Sequence, residues 1–212
     1  MVYIFYTRVD KRLNNDTFSY YLKHLPSVSQ TKILKYKYWE DAQRSLLGKA
    51  LLMKGLNLLG LTRYSLFDLK FTKFHRPYFD DSIDFNISHS GVFVICAISI
   101  TNKIGVDVEE IKGIQLDDFI NNFSEKEWQE ILKKDNGFYS FYKHWTQKEA
   151  FLKAIGMGLN VPIREVEILD NKITWDNNEW FLQEIKLDEG YIAHLSSNIS
   201  LSGIIVKKIN YI

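Results

Sequence analysis

Between residues 83 and 109 three short runs rich in β-branched and apolar residues follow one another at hairpin spacing, and a long segment of helical periodicity lies on each side of them. This order restricts the fold more than any other feature of the chain. Short apolar or alternating runs bounded by turn residues read as strands, and apolar residues recurring every three or four positions read as helices. Residues 83–87, 92–100 and 104–109 are thus predicted strands, the first two joined by the small polar turn Ser88-His89-Ser90-Gly91. Residues 29–59 are predicted to form one or two helices stopped at Gly60, and residues 116–155 a second helical stretch with a Ser124/Glu127 capping box. Residues 2–9 are predicted strand, and residues 17–25 a short helix ended by Pro26. After Pro162 the predicted strands are 163–169, 172–175, 180–186, 191–196 and 202–209, with turn signals at Asp176-Asn177-Asn178 and Asp188-Glu189-Gly190. The class is α+β.

With 212 residues the chain can form one large domain or two of about half that size, and no Pro-rich or Ser-rich stretch marks a flexible linker. Basic residues number 27 and acidic residues 26, so no global field gathers nucleic acid or an anionic membrane, and any anion site must be local. The one cysteine, Cys96, lies in an apolar run, where it reads as a small core residue in a protein of a reducing compartment. The N-terminal apolar run is interrupted by Arg8 and Asp10, which fits neither a spanning helix nor a signal peptide, and the expected location is the cytoplasm.

In Ile104-Gly105-Val106-Asp107-Val108-Glu109 a strand places Asp107 and Glu109 on one face and Val106 and Val108 on the other. Paired carboxylates describe either a solvated strand end or a site for a hard divalent cation, which offsets their repulsion. In the helical run 144–155, Trp145, Glu149 and Lys153 recur every four residues and share a side, so Glu149 and Lys153 are neighbours, as in an ordinary surface ion pair. Gly156 and Gly158 then end the helix, as cap glycines or as places where a ligand meets backbone. His89 and its flanking serines suit either a structural turn or a phosphate contact, and Lys32, Lys35, Lys37, Arg44 and Arg76 supply local positive charge. The chain carries no phosphate-binding Walker loop, no dinucleotide glycine fingerprint, no Cys/His cluster of zinc spacing and no nucleophile elbow.

In order along the chain, Asn86-Ile87-Ser88-His89-Ser90, Gly105-Val106-Asp107-Val108-Glu109 and Trp145-Thr146-Gln147-Lys148-Glu149-Ala150-Phe151-Leu152-Lys153 resemble the three hallmark motifs of the Sfp-type 4'-phosphopantetheinyl transferases. Glu40 to Gly48 is similar to the family's first helix, and Arg76-Pro77-Tyr78 to its K-P-x turn, with arginine in place of lysine. The likeness spans roughly residues 30 to 165 and leaves the C-terminal strands unmatched. It implies two similar α+β halves related by a pseudo-twofold axis, residues 1–102 carrying coenzyme contacts and residues 103–212 carrying the metal-binding acids and catalytic helix.

The resemblance further implies a transferase, holo-acyl-carrier-protein synthase in type, that moves the 4'-phosphopantetheine arm of coenzyme A onto a serine of an apo acyl or peptidyl carrier protein and releases 3',5'-adenosine diphosphate. Asp107, Glu109 and Glu149 are expected to hold Mg2+, Glu149 and Lys153 to be catalytic, and Lys32, Arg44, Arg76, Ser88 and His89 to contact coenzyme A. The expected enzyme is a monomer with no nucleic-acid or membrane partner, and its expected carrier-binding surface is residues 111–123. Two other readings use the same residues: a different magnesium-dependent phosphoryl or nucleotidyl enzyme, and an inactive coenzyme A-binding or carrier-binding homologue.

Overall fold

The computed structural model describes residues 1–212 except 134, 135, 202 and 212. Strand β1 (Val2–Arg8) is followed by helices α1 (Asn15–Lys23), α2 (Ser27–Leu34) and α3 (Trp39–Leu58). A two-stranded hairpin, β2 (Lys70–Phe71) and β3 (Pro77–Tyr78), precedes β4 (Asp84–Ser90), β5 (Phe93–Ser99) and β6 (Ile104–Glu110). Helices α4 (Glu125–Leu132) and α5 (Gly137–Ile155) lead to β7 (Lys172–Trp175), β8 (Asn178–Glu184), β9 (Tyr191–Ser197) and β10 (Ile204–Lys208). The α+β class read from the sequence is the observed one. Among the described residues no helix is long and apolar enough to cross a membrane.

One four-stranded sheet has the order β10-β1-β5-β4 and the other β6-β9-β8-β7. The last strand therefore returns to the N-terminal sheet, where it runs parallel to β1. Central β5 is buried along its whole length because both of its faces are covered. Val94, Cys96 and Ile98 join the core beneath α3, with Leu46, Leu47, Leu51 and Leu52. Phe93, Ile95 and Ala97 point the other way, onto Val106, Val108, Ala193 and Leu195 of the second sheet. This double burial explains why residues 92–100 read as one continuous apolar run. Helices α3 and α5, 20 and 19 residues long, each back one sheet.

The sheets meet at their edge strands through side chains. Asp84 Oδ2, Asn86 Oδ1, Ser88 Oγ and Ser90 Oγ accept the backbone N–H groups of Ile104, Val106, Val108 and Glu110 at 2.8, 3.0, 3.4 and 3.1 Å. Each rung joins residues 20 apart, so β4 and β6 are parallel neighbours linked by a side-chain ladder. The ladder satisfies edge donors that would otherwise be buried without partners or left open to another chain. It also corrects the expected turn at Ser88-His89-Ser90-Gly91. Strand β4 continues to Ser90 because its polar face is the seam, and the hairpin is closed by Gly91, at φ +52°, with Val92.

Helix α5 lies directly on β6. A Cβ at Gly105 would fall inside contact distance of the Ala150 carbonyl oxygen and the Ala154 nitrogen, so glycine is required for the helix to reach the strand. The capping box at Ser124 and Glu127 is present. Residues 163–169 differ from expectation: Ile163–Glu165 form a 3-10 turn, and Leu169 makes only an isolated bridge to Lys172. The buried residues there, Ile163 and Val166, are spaced by three and face α5, which a strand cannot achieve. Residue 202, in the last expected strand, lies outside the described residues.

Candidate active site

The alternation of β6 sends Ile104, Val106 and Val108 into the core between the sheets and turns Gly105, Asp107 and Glu109 toward α5. From α5 the Lys153 ammonium reaches Asp107 Oδ1 at 2.6 Å and accepts company from β4: it also donates to Ser88 Oγ at 3.0 Å. Ser88 donates to the same Asp107 oxygen at 2.8 Å, and Ser90 donates to Glu109 Oε2 at 2.6 Å. The two serines therefore each do two things, accepting a β6 amide and orienting a β6 carboxylate. Three elements distant in sequence converge on one acidic patch.

Its electrostatics are those of an anionic site short of positive charge. Burial first, then repulsion from Asp107, pushes the Glu109 carboxyl up to about 7. Burial likewise raises Glu149, with the Lys153 charge opposing the shift and Asp107 adding to it. Asp107 is 3% exposed, and its Oδ2 oxygen has no hydrogen-bond partner among the described residues. An orphaned carboxylate oxygen, two further carboxyls disfavoured as anions and oxygen donors alone form a set suited to a hard divalent cation. Among the described residues no three such groups converge at metal-ligating distance, and Lys153 is the cation that meets Asp107.

The basic residues expected at the coenzyme divide into separate places. Arg44 donates to the Gly91 carbonyl oxygen at 2.7 Å and pairs with Asp41 at 2.7 Å, which holds its guanidinium at the β4–β5 hairpin. His89 is exposed on the same hairpin. Surrounding protein first, and the cations Arg44 and Lys153 next, lower its pKa, so a bound anion here would favour its charged form. Lys32 is exposed on α2, near Lys49. Arg76, expected on the coenzyme phosphates, has its guanidinium bound instead to Asp84 and to the backbone oxygens of Lys153 and Ile104. In residues 111–123, Ile111, Ile114, Leu116 and Phe119 pack onto the α4–α5 cluster, while Ile120 is exposed.

Sequence reasoning passed over the residues that aim the site. It places Asp84 and Asn86 in a strand but gives them no role, and it places Ser88 and Ser90 in a turn although they continue the same period-two polar alternation. Thr146 and His194 gave no signal, because they are 48 residues apart; Thr146 Oγ1 lies 2.7 Å from His194 Nδ1 and ties α5 to β9 beside Asp107.

His194 is 2% exposed, and burial, with repulsion from Lys143 and His144, pushes its pKa down to about 3 from 6.5. Between those values the unfolded chain binds the proton and the folded chain does not. The contribution of His194 to stability is therefore complete above its unfolded pKa and falls as pH falls, by about 1.4 kcal/mol per unit. Raised Glu109 acts with the opposite sign in part of this window. The comparison that isolates His194 is thus wild type against His194→Gln: the variant is expected to lose about 2 kcal/mol less than wild type between pH 6.5 and 5 in urea melts. Equal losses in both proteins would remove the buried neutral histidine from the account.

Residues 103–195 match the model of the 4'-phosphopantetheinyl transferase superfamily, and residues 13–101 match that of a 4'-phosphopantetheinyl transferase N-terminal region. The chain is 31% identical over 175 residues to 4'-phosphopantetheinyl transferase gsp of Aneurinibacillus migulanus, covering 81% of this chain and 73% of that protein. It is 29% identical over 198 residues to 4'-phosphopantetheinyl transferase Sfp of Bacillus subtilis, covering 86% of each. Similarity reaches a Xenopus laevis L-aminoadipate-semialdehyde dehydrogenase-phosphopantetheinyl transferase, 31% identical over 130 residues, which are 50% of this chain and 43% of that one. The order of strands and helices, the acids of β6 facing the lysine of α5, and these relatives agree: the chain belongs to the 4'-phosphopantetheinyl transferase superfamily and is an enzyme of its Sfp type.

Proposed function

We propose that this transferase moves the 4'-phosphopantetheine arm of coenzyme A onto the serine of an apo acyl or peptidyl carrier protein, with magnesium held by Asp107, Glu109 and Glu149. The observation that carries the reading is the convergence of the acids of β6 with Lys153 of α5, where the buried Asp107 Oδ2 oxygen has no protein partner among the described residues. Bound there, magnesium would neutralise the three carboxylates and stabilise the charge that develops on the pyrophosphate.

The chain's own groups supply the rest. Glu149, on the turn of α5 before Lys153, takes the proton of the carrier serine hydroxyl, directly or through a water. The serine oxygen then bonds to the β-phosphorus of coenzyme A as the bridging oxygen departs with 3',5'-adenosine diphosphate. Lys153, aimed by Ser88, meets the departing phosphate and neutralises it. Ser88 is well placed to orient Asp107 and Lys153 together, whereas His89 and Arg44 at the hairpin tip offer charge to the coenzyme phosphates. Lys32 would reach the coenzyme from α2. Residues 1–102 would serve mainly the coenzyme and 103–212 mainly the chemistry, and because acids and lysine belong to one chain, a monomer suffices. The reduced, buried Cys96 suits the cytoplasm.

Incubation with coenzyme A, magnesium and an apo carrier, followed by intact-mass measurement, is expected to show the carrier heavier by one phosphopantetheine group. Hydrolysis of coenzyme A with an unmodified carrier would favour another magnesium-dependent phosphoryl enzyme instead.

A further inference from the structure

The Arg76 side chain enters the junction of β4, β6 and α5. Nε donates to the Lys153 carbonyl oxygen at 3.0 Å, and Nη2 donates to Asp84 Oδ2 at 2.8 Å and to the Ile104 carbonyl oxygen at 3.1 Å. The same Asp84 oxygen accepts the Ile104 amide at 2.8 Å. The Arg76 and Asp84 side chains are 10% and 4% exposed. The last carbonyls of a helix lack partners within it and carry partial negative charge, which a cation at that end satisfies. Arg76 fills this role for α5. At the adjoining left-handed cap, Gly156 with φ +71°, a Cβ would come within 2.5 Å of Arg76 Cδ, so the arginine stem packs against the helix end.

We propose, on the reading that this site transfers phosphopantetheine, that Arg76 is a positioning residue: it locks the C-terminus of α5 to the starts of β4 and β6 and makes no contact with the 3'-phosphate of coenzyme A. A guanidinium that grips a phosphate must turn toward it. Turning Arg76 away would leave Asp84 as a buried, unpaired carboxylate and the Lys153 carbonyl without its donor. The residue whose carbonyl is held is the one whose ammonium meets Asp107, so the clamp sets the depth at which Lys153 and, one turn earlier, Glu149 stand over β6. A lysine cannot reproduce it, because a single ammonium lacks the fork that reaches three oxygens in different directions.

The test compares wild type with Arg76→Lys, Arg76→Met and Asp84→Asn, using coenzyme A and dephospho-coenzyme A, which lacks the 3'-phosphate. Arg76→Lys and Asp84→Asn are expected to lower kcat alike, by about tenfold or more. KM for coenzyme A is expected to stay within about threefold, with the preference for coenzyme A over its dephospho form unchanged. Hydrogen exchange in the last turn of α5, measured on the substrate-free proteins, is expected to quicken about tenfold in both, a readout that does not depend on the reaction. Asp84→Asn keeps side-chain volume and carries the test should Arg76→Met fail to fold. Loss of the coenzyme A preference in the Arg76 variants, with wild-type kcat and exchange in Asp84→Asn, would overturn the role. Absence of transfer by the wild type would instead sink the functional reading, while the exchange result would still report on the clamp.

Discussion

Asp107→Ala and Glu149→Ala are each expected to lower phosphopantetheine transfer by about a thousandfold or more while leaving the protein folded. Loss of a proton-transfer group costs about two to four orders of magnitude, and loss of a charge that stabilises the transition state about two to three. Glu149 combines both roles in the proposed site. Stability should not suffer in the same way, because these carboxylates are held together against repulsion. Burial disfavours the Glu149 anion, so a neutral residue there relieves a cost. Asp107 does pair with Lys153, but that lysine is 29% exposed and can turn to solvent when its partner is removed. Thermal melts near those of wild type, together with lost transfer, are the expected pair of results. Full activity of both variants with magnesium would show that the acids are not the catalytic centre.

Lys148→Met is expected to produce the largest loss of stability of any single change considered, about 3–5 kcal/mol, because it removes one partner of a buried ion pair. Lys148 is fully buried; its ammonium donates to Glu127 Oε2 at 2.8 Å and to the Ile163 carbonyl oxygen at 3.2 Å. Burial lowers its pKa, and the hydrogen bond to Glu127 opposes that shift. Glu127 is also the capping-box residue of α4, accepting from the Ser124 amide at 2.9 Å. One lysine thus joins α4, α5 and the turn at Ile163, and its removal leaves Glu127 charged and buried. A urea midpoint lower by about 1 M or more is expected, with much of the loss recovered in Lys148→Met combined with Glu127→Gln, where no charge remains to be paired. A midpoint within about 0.3 M of wild type for the single variant would show that the pair contributes little.

The contrast between Glu149 and Lys148 shows what the sequence could and could not convey. Both stand in one motif, one residue apart, and a helix turns them to different surroundings: Glu149 toward β6, Lys148 toward α4. Helical spacing correctly grouped Trp145, Glu149 and Lys153, and strand alternation correctly set Asp107 and Glu109 against Val106 and Val108. These are local periodicities, so a single sequence carries them. The class and most element positions were legible for the same reason, including the helical character of residues 29–59, which form two helices where one or two were expected, and the capping box at Ser124. What escaped depended on tertiary neighbours. That Ser88 and Ser90 belong to a strand follows from a seam with β6, which needs the second sheet in place. That Arg76 faces inward follows from the carbonyls at the end of α5. The bond between Thr146 and His194 joins two elements whose pairing no local pattern announces.

The central proposal is that Asp107 and Glu109 of β6 and Glu149 of α5 hold one divalent cation when coenzyme A is bound. Calorimetric titration of magnesium into the protein with coenzyme A present tests it most directly, using wild type and the variants Asp107→Asn, Glu109→Gln and Glu149→Gln. Wild type is expected to bind one ion per chain, and each variant to bind it about tenfold or more weakly, since every substitution removes one anionic oxygen ligand. Unchanged magnesium affinity in all three variants would contradict the site.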